Sequence, residues 1–338
     1  MNPSHPRELV QNAMREAFPE AEARVAEFYG LQEYHLGWRD ERLQPAYSDP
    51  GKLLRPVFCL LSCQAVGGDP RQALPLAAGI QLMHDFSLIH DDIEDQSDTR
   101  RGRPTVWTKW GMAQGINTGD GMLIVSHLSL HRMVEAGVRP EIVLDVLHRF
   151  DQTVLSVCEG QFLDINYEGN LAINEDDYLS MISRKTAALI AASTELGALV
   201  GGADDKTAQA MFDFGQNLGL AFQIQDDVLG IWGDPEETGK PFAADLLRRK
   251  LSLPVIHALN SSEREELARL YQKQETAPGD ISTMLDILER TESRRYVEHV
   301  SEQYHCRAMA ALDAIENGDS RALAEMRRIA EGLLKRRT

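Results

Sequence analysis

The sequence has little of what marks several large protein classes. Four cysteines are scattered over 338 residues, too few for a disulfide framework. Cys59 and Cys63 stand one helical turn apart and read as small core residues rather than a metal pair. No apolar run reaches the roughly 18 residues that suggest a membrane span, and no signal peptide is read. The expectation is a cytoplasmic chain without a membrane-spanning segment. Positive charge is also scarce, with 35 Lys and Arg against 52 Asp and Glu, a net of −17. That balance argues against a nucleic-acid partner, whose recognition needs basic surfaces. Strand-like alternation with hairpin signals is missing. No linker, composition break or low-complexity run divides the chain, so one domain over 1–338 is expected.

What the sequence does have is helical periodicity. At 43% hydrophobic residues, it can bury one large core. Apolar residues recur at three- and four-residue spacing, predicting helices over 8–29, 54–66, 73–90, 115–136, 141–162, 176–200, 205–230 and 253–270. Asp69-Pro70, Gly137–Pro140, Gly169-Asn170 and Gly201-Gly202 punctuate them. The polar stretch 233–250, rich in Gly, Pro and Lys, is expected to act as a lid. Residues 261–338 are strongly charged and carry no readable motif; Lys335-Arg336-Arg337 reads as a solvated helix end.

The most informative segment is Asp91-Asp92-Ile93-Glu94-Asp95, followed by Arg100-Arg101-Gly102. On a helix, Asp91, Asp92 and Asp95 share one turn, where three like charges repel. A hard divalent cation relieves that repulsion, because Mg²⁺ takes carboxylate oxygens together with substrate phosphates. The arginines can hold phosphate oxygens that the metals leave free. The plain alternative for such a cluster is a solvated acidic face. Asp226-Asp227 repeats the pattern 135 residues downstream, again behind an apolar run. Two such helix ends facing each other would make a negative mouth above an apolar shaft, suited to metals, a diphosphate and a hydrocarbon.

From about Gly51 to Pro254 the sequence resembles the trans-isoprenyl diphosphate synthases of the polyprenyl synthetase family. "HDDIEDQSDTRRGRPTVW" is similar to the family's first Asp-rich motif and "FQIQDDVLG" to its second. "GKLLRP" at Gly51–Pro56 resembles the segment for isopentenyl diphosphate, with Lys52 and Arg55 in matching places. His84, seven residues before Asp91, falls where the family has a further ligand of that diphosphate. Lys185-Thr186, Gln223, Lys240 and Lys250 match contacts to the allylic substrate.

The resemblance implies an all-α, single-domain bundle of the isoprenoid synthase type with a central apolar cavity. It implies a homodimer that condenses isopentenyl diphosphate with an allylic diphosphate. Metal ions, three Mg²⁺ per site with Mn²⁺ as a substitute, would be held by Asp91, Asp92, Asp95, Asp226 and Asp227. Together with Arg100, Lys185 and Lys240 they would stabilise the leaving diphosphate, the kind of preorganised electrostatics that often dominates catalysis. Lys52, Arg55, His84 and Arg101 would anchor isopentenyl diphosphate, while Thr186 and Gln223 would present neutral dipoles to the allylic cation. The departing diphosphate would take the final proton.

Two departures stand out. Many members carry Asp at the fifth position of the second motif, where this chain has Gly230, so that site should be weakened but not abolished. Many also have a second basic residue where this chain has Leu53.

Product length is read from the residues before Asp91. Phe86 lies five residues back, about 7.5 Å down a helix, and Ser87 four back. One Phe beside a Ser resembles synthases that stop at geranylgeranyl diphosphate; farnesyl or longer products are the alternatives. In another reading Phe86 packs in the core and the floor lies around Asn117–Met122.

Three rivals differ in class. A class I terpene cyclase would leave Lys52, Arg55 and His84 without purpose. An HD-type metal phosphohydrolase is suggested only by His90-Asp91. A non-catalytic partner subunit of a synthase heteromer would be expected to have lost acidic motifs that are both present here.

Overall fold

The computed structural model describes residues 5–49, 51–235, 241–273, 277–316 and 318–334. Most of them are helical: α1 (His5–Ala17), α2 (Ala26–His35), α3 (Leu54–Ala65), α4 (Leu74–Glu94), α5 (Val106–Trp110), α6 (Met112–His131), α7 (Pro140–Tyr167), α8 (Glu175–Ile182), α9 (Ala188–Val200) and α10 (Asp205–Trp232). A turn of π-helix, Ser183–Ala187, joins α8 to α9. The remainder is α11 (Ala244–Leu247), α12 (Leu253–Leu259), α13 (Arg264–Tyr271), α14 (Pro278–Arg290), α15 (Ser293–Asp313) and α16 (Ser320–Leu334). Among the described residues no helix is long and apolar enough to cross a membrane.

Several boundaries differ from the expectation. The helix predicted over 8–29 is two helices, broken after Ala17 around Phe18-Pro19, because a proline lacks the N–H and clashes with the carbonyl four residues back. The helix predicted over 253–270 divides at Asn260–Glu263; there the Ser261 hydroxyl accepts the Glu263 N–H at 3.0 Å, a local bond that competes with helix continuation. A small antiparallel hairpin, β1 (Thr99–Arg100) with β2 (Arg103–Pro104), was not foreseen. Arg101 and Gly102 turn it at φ 52° and 73°, the left-handed pair of a type I′ turn. The charged stretch 261–338 supplies α13, α14, α15 and α16, while Lys335-Arg336-Arg337 lie outside the described residues. The proposed lid, 233–250, is described only in part, since 236–240 lie outside as well.

The chain falls into two compact units. The first comprises Met1–Phe150 and Ser193–Ala208. Its centre is the pairing of α4 with α6, which approach closely because glycines face the partner helix. A Cβ at Gly79 would lie 2.0 Å from Leu130 Cδ1, and one at Gly119 would lie 2.2 Å from His90 Nε2. Leu76, Ile80, Met83, Met122 and Leu130 fill the interior. Cys59 and Cys63 are buried free thiols, as core residues should be; burial pushes the Cys63 thiol up to about 12.

The second unit comprises Asp151–Ala192 and Gln209–Thr338. Its core gathers Tyr178 and Ile182, Ile224 and Val228, and Ile256, Met284 and Val297. α8 begins with a capping box in which Asn174 and Asp177 exchange side-chain and backbone hydrogen bonds. That box satisfies two of the donors a helix start leaves open and fixes where Tyr178 enters the core.

Candidate active site

In the first unit α4 ends in the first acidic cluster. The Asp91 side chain is 22% exposed and that of Asp92 only 2%, while Asp95, at the helix end, is exposed. The hairpin turns the chain back so that Arg100 meets this end. Its Nε lies 2.7 Å from Asp92 Oδ1 and its Nη2 3.5 Å from Asp91 Oδ2. Burial raises the Asp92 pKa despite the pull of Arg100. Asp92 thus faces inward and holds the arginine, leaving Asp91 and Asp95 as the more open acids.

About two helical turns below, His84 and Asp85 organise further cations. Arg55 Nη1 is 3.3 Å from His84 Nε2. Arg101 Nη2 is 3.4 Å, and His35 Nε2 3.5 Å, from Asp85 Oδ1. Burial alone would raise Asp85, yet His35 and Arg101 hold it well below the carboxylate range. His84 is pushed well below the ordinary imidazole value by burial and by Arg55, so it stays neutral. Burial lowers Arg55 to about 10 against the attraction of Asp85. Lys52 is exposed, next to Leu53, which adopts a left-handed φ of 47° just before α3. Such a conformation is rare for a branched residue and is typical of functional segments. A cavity of about 170 Å³ in this unit is lined by His35, Asp49, Asp92, Arg100, Arg101 and Arg103 among others.

In the second unit α10 carries Asp226 and Asp227. Asp226 is half-buried and Asp227 fully buried. Asp227 accepts hydrogen bonds from the Tyr178 hydroxyl, from Gln223 Nε2 at 3.2 Å and from the Leu253 N–H at 3.3 Å. Gln223 Oε1 in turn accepts from Thr186 Oγ1 at 3.0 Å. Burial pushes Asp227 up to about 6; Lys250 and Tyr178 oppose this, and Asp245 and Asp226 add to it. Thr186 and Lys185 sit on the π turn, which packs on α7 where a Cβ at Gly160 would lie 2.3 Å from the Lys185 nitrogen. Lys185 Nζ is 2.5 Å from Asp164 Oδ2. Desolvation works against the Lys250 charge, but Asp227, Asp245, Asp164 and Asp226 raise its pKa above the ordinary lysine value. Lys240 lies outside the described residues.

The sequence-predicted residues therefore assemble as two groups. One is Asp91, Asp92 and Arg100 with Arg55, His84 and Arg101; the other is Lys185, Thr186, Gln223, Asp226, Asp227 and Lys250. Asp85, Asp164, Tyr178 and Asp245 were missed. Asp85 and Asp164 did leave a signal, a lone acid inside an apolar helical run. His90 Nε2 lies 3.1 Å from the Ile116 carbonyl and 3.7 Å from Asp120. It is a helix-packing contact, which removes the basis of the HD-type reading. Phe86 is 8% exposed and meets the His90 ring edge-on at 5.0 Å; the Ser87 hydroxyl donates to the His84 carbonyl at 2.8 Å.

The donors suit a hard cation. Asp91, Asp95 and Asp226 offer only oxygen, and buried Asp92 Oδ2 has no hydrogen-bond partner. Among the described residues no three His, Cys, Asp or Glu side chains converge to hold a metal unaided. This is compatible with Mg²⁺, which uses one or two carboxylates and completes its shell with phosphate oxygens and water.

The helical architecture is that of the isoprenoid synthases. A polyprenyl synthetase from Streptomyces coelicolor has the same fold, with a TM-score of 0.88 at 33% identity over 97% of both chains. Residues 38–288 match the polyprenyl synthetase family, and the chain belongs to it, as a trans-prenyltransferase. The match extends beyond the motif-bearing stretch 51–254 on both sides. A geranylgeranyl diphosphate synthase of Mycobacterium tuberculosis is 39% identical over 297 residues, 87% of this chain and 84% of the relative. A (2E,6E)-farnesyl diphosphate synthase of Mycobacterium bovis is 35% identical over 317 residues, 90% and 84% of the two chains.

Proposed function

We propose that this chain is a geranylgeranyl diphosphate synthase that extends an allylic diphosphate (dimethylallyl, geranyl or farnesyl) with isopentenyl diphosphate. The observation that carries the product length is Phe86 beside Ser87 on α4, five and four residues before Asp91. One aromatic at this depth narrows the space below the acids, whereas two would close it early. The higher identity to the geranylgeranyl relative supports the same reading.

The residues divide the work as follows. Lys52, Arg55 and Arg101 bind the diphosphate of the isopentenyl substrate, with neutral His84 beside them. Arg100, Lys185, Lys240 and Lys250 bind the allylic diphosphate. Asp91, Asp95 and Asp226 hold Mg²⁺, which when bound neutralises charge growing on the leaving diphosphate. The allylic carbon–oxygen bond breaks with its electron pair going to the diphosphate. The isopentenyl double bond then attacks the allylic carbon, and the diphosphate removes the proton that restores the alkene. Gln223, fixed between Thr186 and Asp227, presents its dipole to the cation. Such positioning contributes on the order of 7–11 kcal/mol where it is near ideal.

The working form is proposed to be a homodimer. On α6 Met112, Ile116, Ile124 and Leu128 are exposed at helical spacing, and on α7 Leu144, Leu155, Phe162 and Ile165 are too. Apolar stripes of this kind mark association surfaces. The presence of both acidic clusters argues against a non-catalytic subunit.

Product analysis tests the reading. Purified protein given isopentenyl diphosphate and each allylic primer should accumulate the twenty-carbon diphosphate. Phe86→Ala should shift the products to longer chains. An unchanged distribution would move the floor to another residue, and a fifteen-carbon product from the wild type would assign the farnesyl activity instead.

A further inference from the structure

Asp85 is a carboxylate buried on α4 among residues assigned to an anionic substrate, and the division of work above gives it no part. Its side chain is 2% exposed, so a buried charge there must be held by partners. Oδ2 accepts from Gln81 Nε2 at 2.8 Å, one turn back on the same helix. Oδ1 accepts from Arg101 Nη2 at 3.4 Å and stands 3.5 Å from His35 Nε2 at the end of α2. We propose that Asp85 is a positioning residue: fixed by Gln81, it holds the Arg101 guanidinium in the place from which it binds the diphosphate of isopentenyl diphosphate. This rests on the assignment of Arg101 to that substrate above.

Arg101 needs such a hold because of where it stands. It is the first turn residue of the β1–β2 hairpin, and a two-stranded hairpin is at best marginally stable by itself. A Cβ on the next residue, Gly102, would meet nothing within 4 Å, so no neighbouring element wedges the tip at that point. The arginines on either side are tied down. Arg100 Nε is 2.7 Å from Asp92 Oδ1, and Arg103 donates to the Tyr34 and Arg39 carbonyls at 3.0 and 2.6 Å. Asp85 does the same for Arg101. The tie is one long contact rather than a two-pronged pair, so most of the guanidinium's five N–H donors are left for phosphate oxygens. The substrate can therefore bind without breaking it.

The charge of the substrate gives the test its sign. Neutralising Asp85 would by Coulomb's law alone tighten the binding of a diphosphate, whereas loss of positioning weakens it. Asp85→Asn, which keeps the shape and removes the charge, should raise the KM for isopentenyl diphosphate roughly tenfold, the loss of one charge-assisted hydrogen bond. The KM for farnesyl diphosphate should not move. Arg101→Ala should raise the isopentenyl KM at least as much, and Asp85→Asn/Arg101→Ala no further, because residues that act through one another are not additive. A lowered or unchanged isopentenyl KM in Asp85→Asn, beside a raised one in Arg101→Ala, would overturn the proposal and leave Arg101 as a ligand. Equal rises in both KM values with a lower Tm would overturn it in favour of a purely structural tie of α2 to α4 through His35, and additive effects in the double variant would overturn it as well. An unchanged isopentenyl KM in Arg101→Ala would overturn the assignment of Arg101 itself. Should Asp85→Asn not fold, Gln81→Met removes only the donor at Oδ2 and should raise the isopentenyl KM about threefold; an unchanged value there would overturn the proposal.

Discussion

Asp226 and Asp227 are neighbours in sequence with different surroundings, and the first motif repeats the division in Asp91 and Asp92. In each pair the second acid points inward and organises protein donors, Arg100 in one case and Tyr178 with Gln223 in the other. The sequence announces the acids but not this division, because which carboxylate is buried depends on what packs against the helix. Tyr178 is a case in point: nothing in its own segment marks it, since its partner lies on α10. Tyr178→Phe removes one donor from a fully buried carboxylate. The expected cost is about 1–3 kcal/mol of stability, read from denaturant unfolding, with slower turnover as Gln223 and Thr186 lose their fixed orientation. Unchanged stability would show that Tyr178 does not hold Asp227.

Among the elements, those with long apolar periodicity were legible and the short irregular ones were not. Helix α10 appears where its spacing placed it. The π turn between α8 and α9 was invisible, because one extra residue leaves the apolar spacing over 176–200 nearly intact. That turn puts Lys185 and Thr186 where they are, and π turns often occur at functional sites. It depends on Gly160, whose missing side chain admits the Lys185 backbone. Gly160→Ala should therefore destabilise the protein by roughly 1–3 kcal/mol through overpacking, seen as a lower Tm. Gly332→Ala on α16 is the control: nothing lies within 4 Å of its added Cβ, so it should raise stability by about 0.5–1 kcal/mol. Equal effects of the two would contradict the packing argument. The hairpin that returns Arg100 was missed for a different reason, since two-residue strands have no alternation to read.

At the scale of the whole molecule, the all-helical class followed from periodicity and the absence of strand signals. The two compact units did not, because each is assembled from separated stretches of chain and no linker marks a boundary. The apolar stripes on α6 and α7 also belong to this scale. Light scattering at micromolar concentration should give about twice the 37.8 kDa chain mass. Replacing Ile124 and Leu128 by Lys should shift the protein toward the monomer. A monomeric wild type would leave those stripes without the proposed partner.

We propose that two acid clusters, on α4 and on α10, make this chain a metal-dependent prenyltransferase. The most direct test is condensation of isopentenyl diphosphate with farnesyl diphosphate by the wild type, Asp91→Ala and Asp226→Ala, with Mg²⁺ and after chelation. The expected result is turnover that needs Mg²⁺ and falls on the order of 10³-fold in each variant, with helical content and Tm retained. Near-normal condensation by Asp91→Ala, or undiminished turnover by the wild type after chelation, would contradict it.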